Sequence, residues 1–281
     1  MLVIEFFGLS GAGKTTIKNK LKKILLLKKI NIYSYKQVIL KFSETVIQLS
    51  IKERIALNYF KFIKSSFTQK KKTNFKNAIN LKQNKNKKTK RNLYLLRKFN
   101  LLYREICLRI FFKFKKENKK FVYFVFQLIK SSLYSNKEKT IIKNWFIEEC
   151  AANYIADKNK SMIDIILDSE GFVQRSILYF YKNKNIKYNI NKYFSLSPLP
   201  NFLFYIEKKF ITKKKKKSNY FDIQDDIQSN IFDLIFNNLK KKRIKNSQKF
   251  KLIKILNKKK GLLSLLKIQK KLYKSNFLQN Y

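Results

Sequence analysis

Short apolar runs and longer amphipathic stretches alternate along the chain, and their order predicts strands separated by helices. Leu2-Val3-Ile4-Glu5-Phe6-Phe7 is mostly apolar, with β-branched and aromatic residues, the pattern of a strand buried on both faces. After Thr15, residues Ile17, Leu21, Ile24 and Leu25 recur at helical spacing. Ile30 to Tyr35 follows at the distance expected of a second parallel strand. Met162 to Leu167 reads as a third strand. Asn201 to Glu207, introduced by Pro198-Leu199-Pro200, reads as a fourth, and Phe250 to Leu256 as the last. A final helix is expected from near Gly261, with Leu262, Leu265, Leu266 and Ile268 on its apolar face. Strands alternating with helices predict an α/β fold, a parallel sheet covered on both sides.

The pattern is broken once. About 125 residues separate the second and third strands, far more than a crossover helix requires. Residues 37–69 are helical and amphipathic in pattern. Residues 70–98 hold twelve Lys or Arg, several Asn and no acid, which predicts a solvated, mobile stretch. Helical patterning returns from Leu101 to Ile155, with Trp145 and the pair Glu148-Glu149. The expected organisation is a core of residues 1–36 and 160–281, interrupted by a large helical insertion at 37–159.

Composition narrows the chemistry. The 281 residues include no histidine, two cysteines, five glycines and two prolines. A histidine base, a Ser-His-Asp triad and an imidazole metal site are thereby excluded, as are a disulfide framework and a four-thiolate zinc site. Cys107 and Cys150 lie in apolar, helical contexts and are expected to be buried free thiols. With 45% apolar residues the chain can bury a sizeable core. Lys and Arg number 65 against 17 Asp and Glu, a formal charge of +48. That charge has two readings. One is a surface that neutralises nucleic-acid phosphates. The other is an A+T-rich coding sequence, since seven of the basic residues are arginine and Asn, Ile, Phe and Tyr abound. Met1 to Phe7 contains Glu5 and lacks a basic start, so it is not read as a signal peptide. The run Phe121 to Phe126 falls far short of the ~20 residues that span a bilayer. No membrane partner is expected, and a cytoplasmic enzyme is.

Three of the five glycines fall within six residues, in Gly8-Leu9-Ser10-Gly11-Ala12-Gly13-Lys14-Thr15-Thr16. This matches G-x-x-x-x-G-K-[ST], between a strand and a helix as the motif requires. Glycines let the backbone turn its N–H groups into a nest around phosphates. Gly8, Ser10, Gly11, Ala12, Gly13, Lys14, Thr15 and Thr16 are the candidate nucleotide-binding residues. Lys14 supplies a charge for the β- and γ-phosphates and Thr15 a hydroxyl for Mg²⁺. The fourth glycine marks a second site, Asp168-Ser169-Glu170-Gly171-Phe172-Val173-Gln174-Arg175, at the end of the third strand. A carboxylate there can hold Mg²⁺ through water or accept a proton. Asp168 is the first choice for Mg²⁺ and Glu170 for the acceptor or base role, while Arg175 can clamp a phosphate in two-pronged fashion. The competing reading makes Asp168 or Ser169 a helix cap and Arg175 a structural ion-pair partner. After the fourth strand, five consecutive lysines, Lys213 to Lys217, read either as a mobile basic lid or as a solvated charge run.

With these pieces in order, the chain resembles the P-loop kinases of the nucleoside and nucleotide kinase superfamily. Gly8 to Thr16 is also similar to the loop of adenylylsulfate kinases, with its Gly-Leu-Ser-Gly opening. Asp168 to Arg175 is similar to the acidic, Glu-Gly and Gln-Arg stretch of thymidylate-kinase-like proteins. The resemblance implies a three-layer P-loop NTPase fold with a five-stranded parallel sheet, ATP with Mg²⁺, and transfer of the γ-phosphoryl group to a small-molecule acceptor. The insertion is then the expected acceptor-side cap. Three departures stand out, the first being the absence of the Asp-Gly acceptor signature expected of sulfate-activating kinases. Tyr35-Lys36-Gln37-Val38 replaces the Asp-Arg acceptor motif of the thymidylate-kinase kind, and the lysine run holds no arginine. An ATP-dependent kinase is the leading expectation. A nucleic-acid-binding ATPase is the alternative, with Phe111-Phe112-Lys113-Phe114 as a possible base-stacking surface. A nucleotide-binding module without transfer chemistry is the third reading.

Overall fold

A computed structural model describes residues 1–9, 11–27, 29–70, 86–207, 225–245 and 251–256. The sheet has five strands, β1 (Leu2–Phe7), β2 (Ile32–Tyr33), β3 (Ile165–Asp168), β4 (Phe202–Glu207) and β5 (Lys251–Leu256). Their order is β2-β3-β1-β4-β5, and every neighbouring pair is parallel. The chain is therefore α/β with the all-parallel sheet expected from its apolar runs, compatible with a three-layer arrangement. The lysine run at 213–217 and the expected helix from Gly261 lie outside the described residues.

Aromatic side chains knit the central strands. Phe6 stacks on Phe204 with ring centroids 5.2 Å apart, and Phe7 on Tyr205 at 4.9 Å. The first helix, α1 (Lys14–Leu26), buries Ile17, Leu21 and Leu25, the face its periodicity predicts. One strand is shorter than its sequence suggests. Tyr35 donates its backbone N–H to Asp168 Oδ2 at 3.0 Å and opens helix α2 (Tyr35–Phe42), so β2 stops after two residues.

The chain divides into two compact units, residues 1–35, 118–143 and 160–281 in one, and 36–117 and 144–159 in the other. The first holds the sheet, α1, α5 (Lys119–Ser131), α7 (Phe172–Phe180), α8 (Ile186–Leu196) and α9 (Asp225–Lys245). Residues 118–143, expected within the insertion, thus belong with the sheet. The cause is aromatic: Phe121 of α5 meets Phe172 and Tyr193 edge-on, each at 5.4 Å.

The second unit contains α3 (Ile51–Lys70), α4 (Asn86–Glu117) and most of α6 (Asn136–Lys158). Residues 86–98, expected to be mobile, form the first turns of α4, whereas 71–85 lie outside the described residues. Ser50 and Glu53 form a reciprocal cap at the start of α3, and Arg109 of α4 donates to Glu53 at 2.6 Å. Phe111 and Phe114 are buried and only Phe112 is exposed, so this segment is the apolar side of a helix and offers no row of stacking rings. Cys107 and Cys150 are buried free thiols, as expected, and burial pushes both well above the ordinary thiol range. Among the described residues, no helix is long and apolar enough to cross a membrane.

Candidate functional site

The strand order gives the place where a ligand site is expected. The connection leaving β1 runs to β2 on one side, whereas the connection leaving β3 crosses β1 to reach β4 on the other. Open parallel sheets bind ligands where neighbouring connections diverge, outside the carboxyl ends of those strands. The glycine-rich loop follows β1 and the acidic stretch follows β3, so both expected sites meet at that crevice.

Gly8, Gly11 and Gly13 all have positive φ, of 137°, 74° and 91°. Gly8 is the most constrained: a Cβ there would lie 2.4 Å from the carbonyl oxygen of Ile206 on β4. Only glycine fits that close approach. Gly13 is the left-handed N-cap of α1, and no side chain caps this helix. The first turn holds no acid either, which leaves the positive end of α1 available to an anion. Lys14 opens the helix and folds back to donate from Nζ to Gly8 O at 2.7 Å and Leu9 O at 2.8 Å. Its burial lowers its pKa to about 8, opposed by the charge of Glu170. Thr15 and Thr16 are exposed in the first turn, and Ala12 is buried, donating its N–H to Leu9 O. Ser10 lies outside the described residues.

Across the crevice, Asp168 is buried and its carboxylate is occupied. Oδ1 accepts the N–H groups of Ser169 and Glu170, and Oδ2 accepts that of Tyr35. Asp168 therefore braces its own turn and holds the start of α2, whereas α7, the helix that follows, has Gly171 at its N-cap and no side-chain cap from Asp168 or Ser169. Glu170 is the solvent-facing carboxylate, its side chain 70% exposed. Arg175 lies 3.7 Å from it, on the first turn of α7.

Three residues at this crevice went unassigned in the sequence. Gln174 accepts the Gly8 N–H on Oε1 at 2.9 Å, tying α7 to the loop. Glu5 is buried within β1, in register with Asp168 on β3. Tyr35 donates its hydroxyl to Glu5 Oε1 at 3.0 Å, and Val173 its N–H to Oε2 at 3.2 Å. Burial raises the Glu5 pKa to about 7, those donors pulling it down and Asp168 pushing it up. The signal was visible: Glu5 is the lone acid in a strand otherwise apolar throughout.

The donors suit a nucleotide phosphate chain. An ammonium, an uncapped helix N-terminus and a threonine hydroxyl are the chemistry such a group calls for. Among the described residues no cluster of three or more His, Cys, Asp or Glu is positioned to hold a metal by itself. Magnesium commonly keeps several waters and takes only one or two protein ligands beside substrate phosphates, so Thr15 and a water-linked Asp168 remain compatible with it. No protein-family model matches this chain, and no curated protein or solved structure does either.

Proposed function

We propose that this protein is an ATP-dependent kinase of the P-loop class, transferring the γ-phosphoryl group to a nucleotide-like or other small acceptor. The observation that carries the reading is the start of α1: a glycine-lined turn after the central strand leads into an uncapped helix whose first residue is Lys14. The five-stranded parallel order, with this turn at the point where connections diverge, supports the same conclusion.

Each residue then has a part. The backbone of Gly11 to Gly13 and the ammonium of Lys14 hold the phosphates, and Lys14 exchanges its bonds to Gly8 O and Leu9 O for phosphate oxygens. Thr15 would hold Mg²⁺ by its hydroxyl, and Asp168 would do so through water. The metal supplies neutralisation of the β- and γ-phosphate charge. Glu170, exposed beside Arg175, takes the proton of the acceptor hydroxyl as its oxygen bonds to phosphorus and the bridging oxygen departs with ADP. Arg175 clamps the acceptor or the transferring group. Catalysis of this kind rests on positioning and charge neutralisation, without a covalent enzyme intermediate.

The test is turnover of γ-labelled ATP with Mg²⁺ across a panel of nucleosides, nucleotides and other small hydroxyl acceptors. The reading predicts label transfer to one acceptor class, unaffected by added oligonucleotide. Turnover that requires DNA or RNA would replace it with the nucleic-acid ATPase, and binding without turnover on any acceptor would leave a binding module.

A further inference from the structure

Glu5 has no part in the chemistry above, yet its surroundings are the most tightly specified at the crevice. A Cβ built on Gly171 would lie 1.8 Å from Glu5 Oε1, so the carboxylate fills the space a side chain would need. A side chain at position 171 would therefore have to displace this carboxylate from its partners. From that place Glu5 accepts the Val173 N–H in the first turn of α7. The next residue, Gln174, accepts the N–H of Gly8. Glu5 and Gly8 bracket the end of β1, and consecutive residues of α7 hold both. The Tyr35 hydroxyl and the Phe172 backbone N–H are further partners of the same carboxylate.

We propose that Glu5 is a positioning residue for the phosphate loop, holding the first turn of α7 so that Gln174 stays on the Gly8 N–H. This rests on the reading of Gly8 to Thr16 as a phosphate site. An isolated carboxylate in an apolar strand is costly to bury, and a merely structural position would be filled at lower cost by an apolar residue. What the carboxylate adds, once ionised above about pH 7, is two acceptor oxygens, one meeting the Tyr35 hydroxyl and the other the Val173 N–H of α7. An apolar side chain cannot align α7 with the loop in that way.

The experiment is amide hydrogen exchange by NMR together with ATP affinity, on the full chain at pH 8, above the pKa of about 7 at which Glu5 ionises. Glu5→Gln keeps the shape but replaces one acceptor oxygen with a donor. Exchange of the Gly8 and Val173 amides is expected to quicken about tenfold, with that of Phe204 on β4 unchanged. ATP affinity is expected to fall about tenfold. Gln174→Ala should cause a similar fall, and the double variant should add nothing, because both act through one path. Should Glu5→Gln fail to fold, Tyr35→Phe, which deletes one donor and keeps the ring, carries the same test with a smaller effect. Unchanged Gly8 exchange in a folded variant overturns the proposal, as does an additive double variant. A wild-type protein that binds no ATP overturns the loop reading instead, while the exchange rates still decide the part given to Glu5.

Discussion

Two ionisable residues at the crevice have pKa values moved towards neutrality, and each makes a distinct prediction. Lys14 is held down at about 8 by burial, so between that pH and its ordinary 10.5 the free site is neutral while an unburied lysine would be charged. A phosphate group bound there favours the charged form. ATP binding at pH 9 is therefore expected to take up close to one proton, measurable by calorimetry in two buffers of different ionisation enthalpy, and to take up none through Lys14 at pH 7. Equal heats in both buffers at pH 9 would mean that Lys14 does not meet the phosphates. Glu5 moves the other way. Its pKa rises from 4.5 to about 7 on folding, so between these values the folded chain retains a proton that the unfolded chain has lost. Stability from this group is full below pH 4.5 and declines as pH rises through 7, by roughly 3 kcal/mol. Denaturant titrations should show wild type losing that much relative to Glu5→Gln between pH 4.5 and 7.5. A constant difference would place Glu5 in contact with water. Lys14 was legible because its motif names it. Glu5 was not, because its partners lie at residues 35 and 173, brought together only by the sheet.

At the scale of elements, the turn after β1 is fixed from both sides. Gly8 lies against the Ile206 carbonyl of β4 and donates to Gln174 of α7. Gly8→Ala would force a Cβ into that carbonyl at a φ that L-residues rarely adopt, and should cost about 2–3 kcal/mol, read as a lowered Tm. Gly11→Ala, at an exposed position, should cost only about 1 kcal/mol of left-handed strain. Equal losses would mean that the β4 contact constrains nothing. All five strands were legible from their apolar runs, and β1, β4 and β5 lie within a residue of the expected bounds. The second was overextended because Asp168, far away in sequence, captures the Tyr35 N–H and turns the chain into α2. Propensity sees Ile30 to Tyr35 as strand, and only the sheet supplies the acceptor that ends it.

At the scale of the whole molecule, the +48 charge and the long interruption in the α/β pattern were the largest features of the sequence. Neither defines the candidate site. Phe111 and Phe114 are buried, so the Phe111 to Phe114 segment presents no row of rings for bases to stack on. The interruption is not one piece, since α5 joins the sheet unit through Phe121. Amphipathic periodicity predicted that α5 would bury a face, but not which aromatic partners would receive it. The central claim is that the turn after β1 binds ATP through Lys14. Its most direct measurement is the ATP affinity of wild type and Lys14→Ala by calorimetry with Mg²⁺, beside circular dichroism of both proteins. A buried charge-assisted contact predicts a loss of about 10- to 100-fold in the variant, with unchanged secondary structure. Equal affinity in the two proteins, or no binding by wild type, would contradict it.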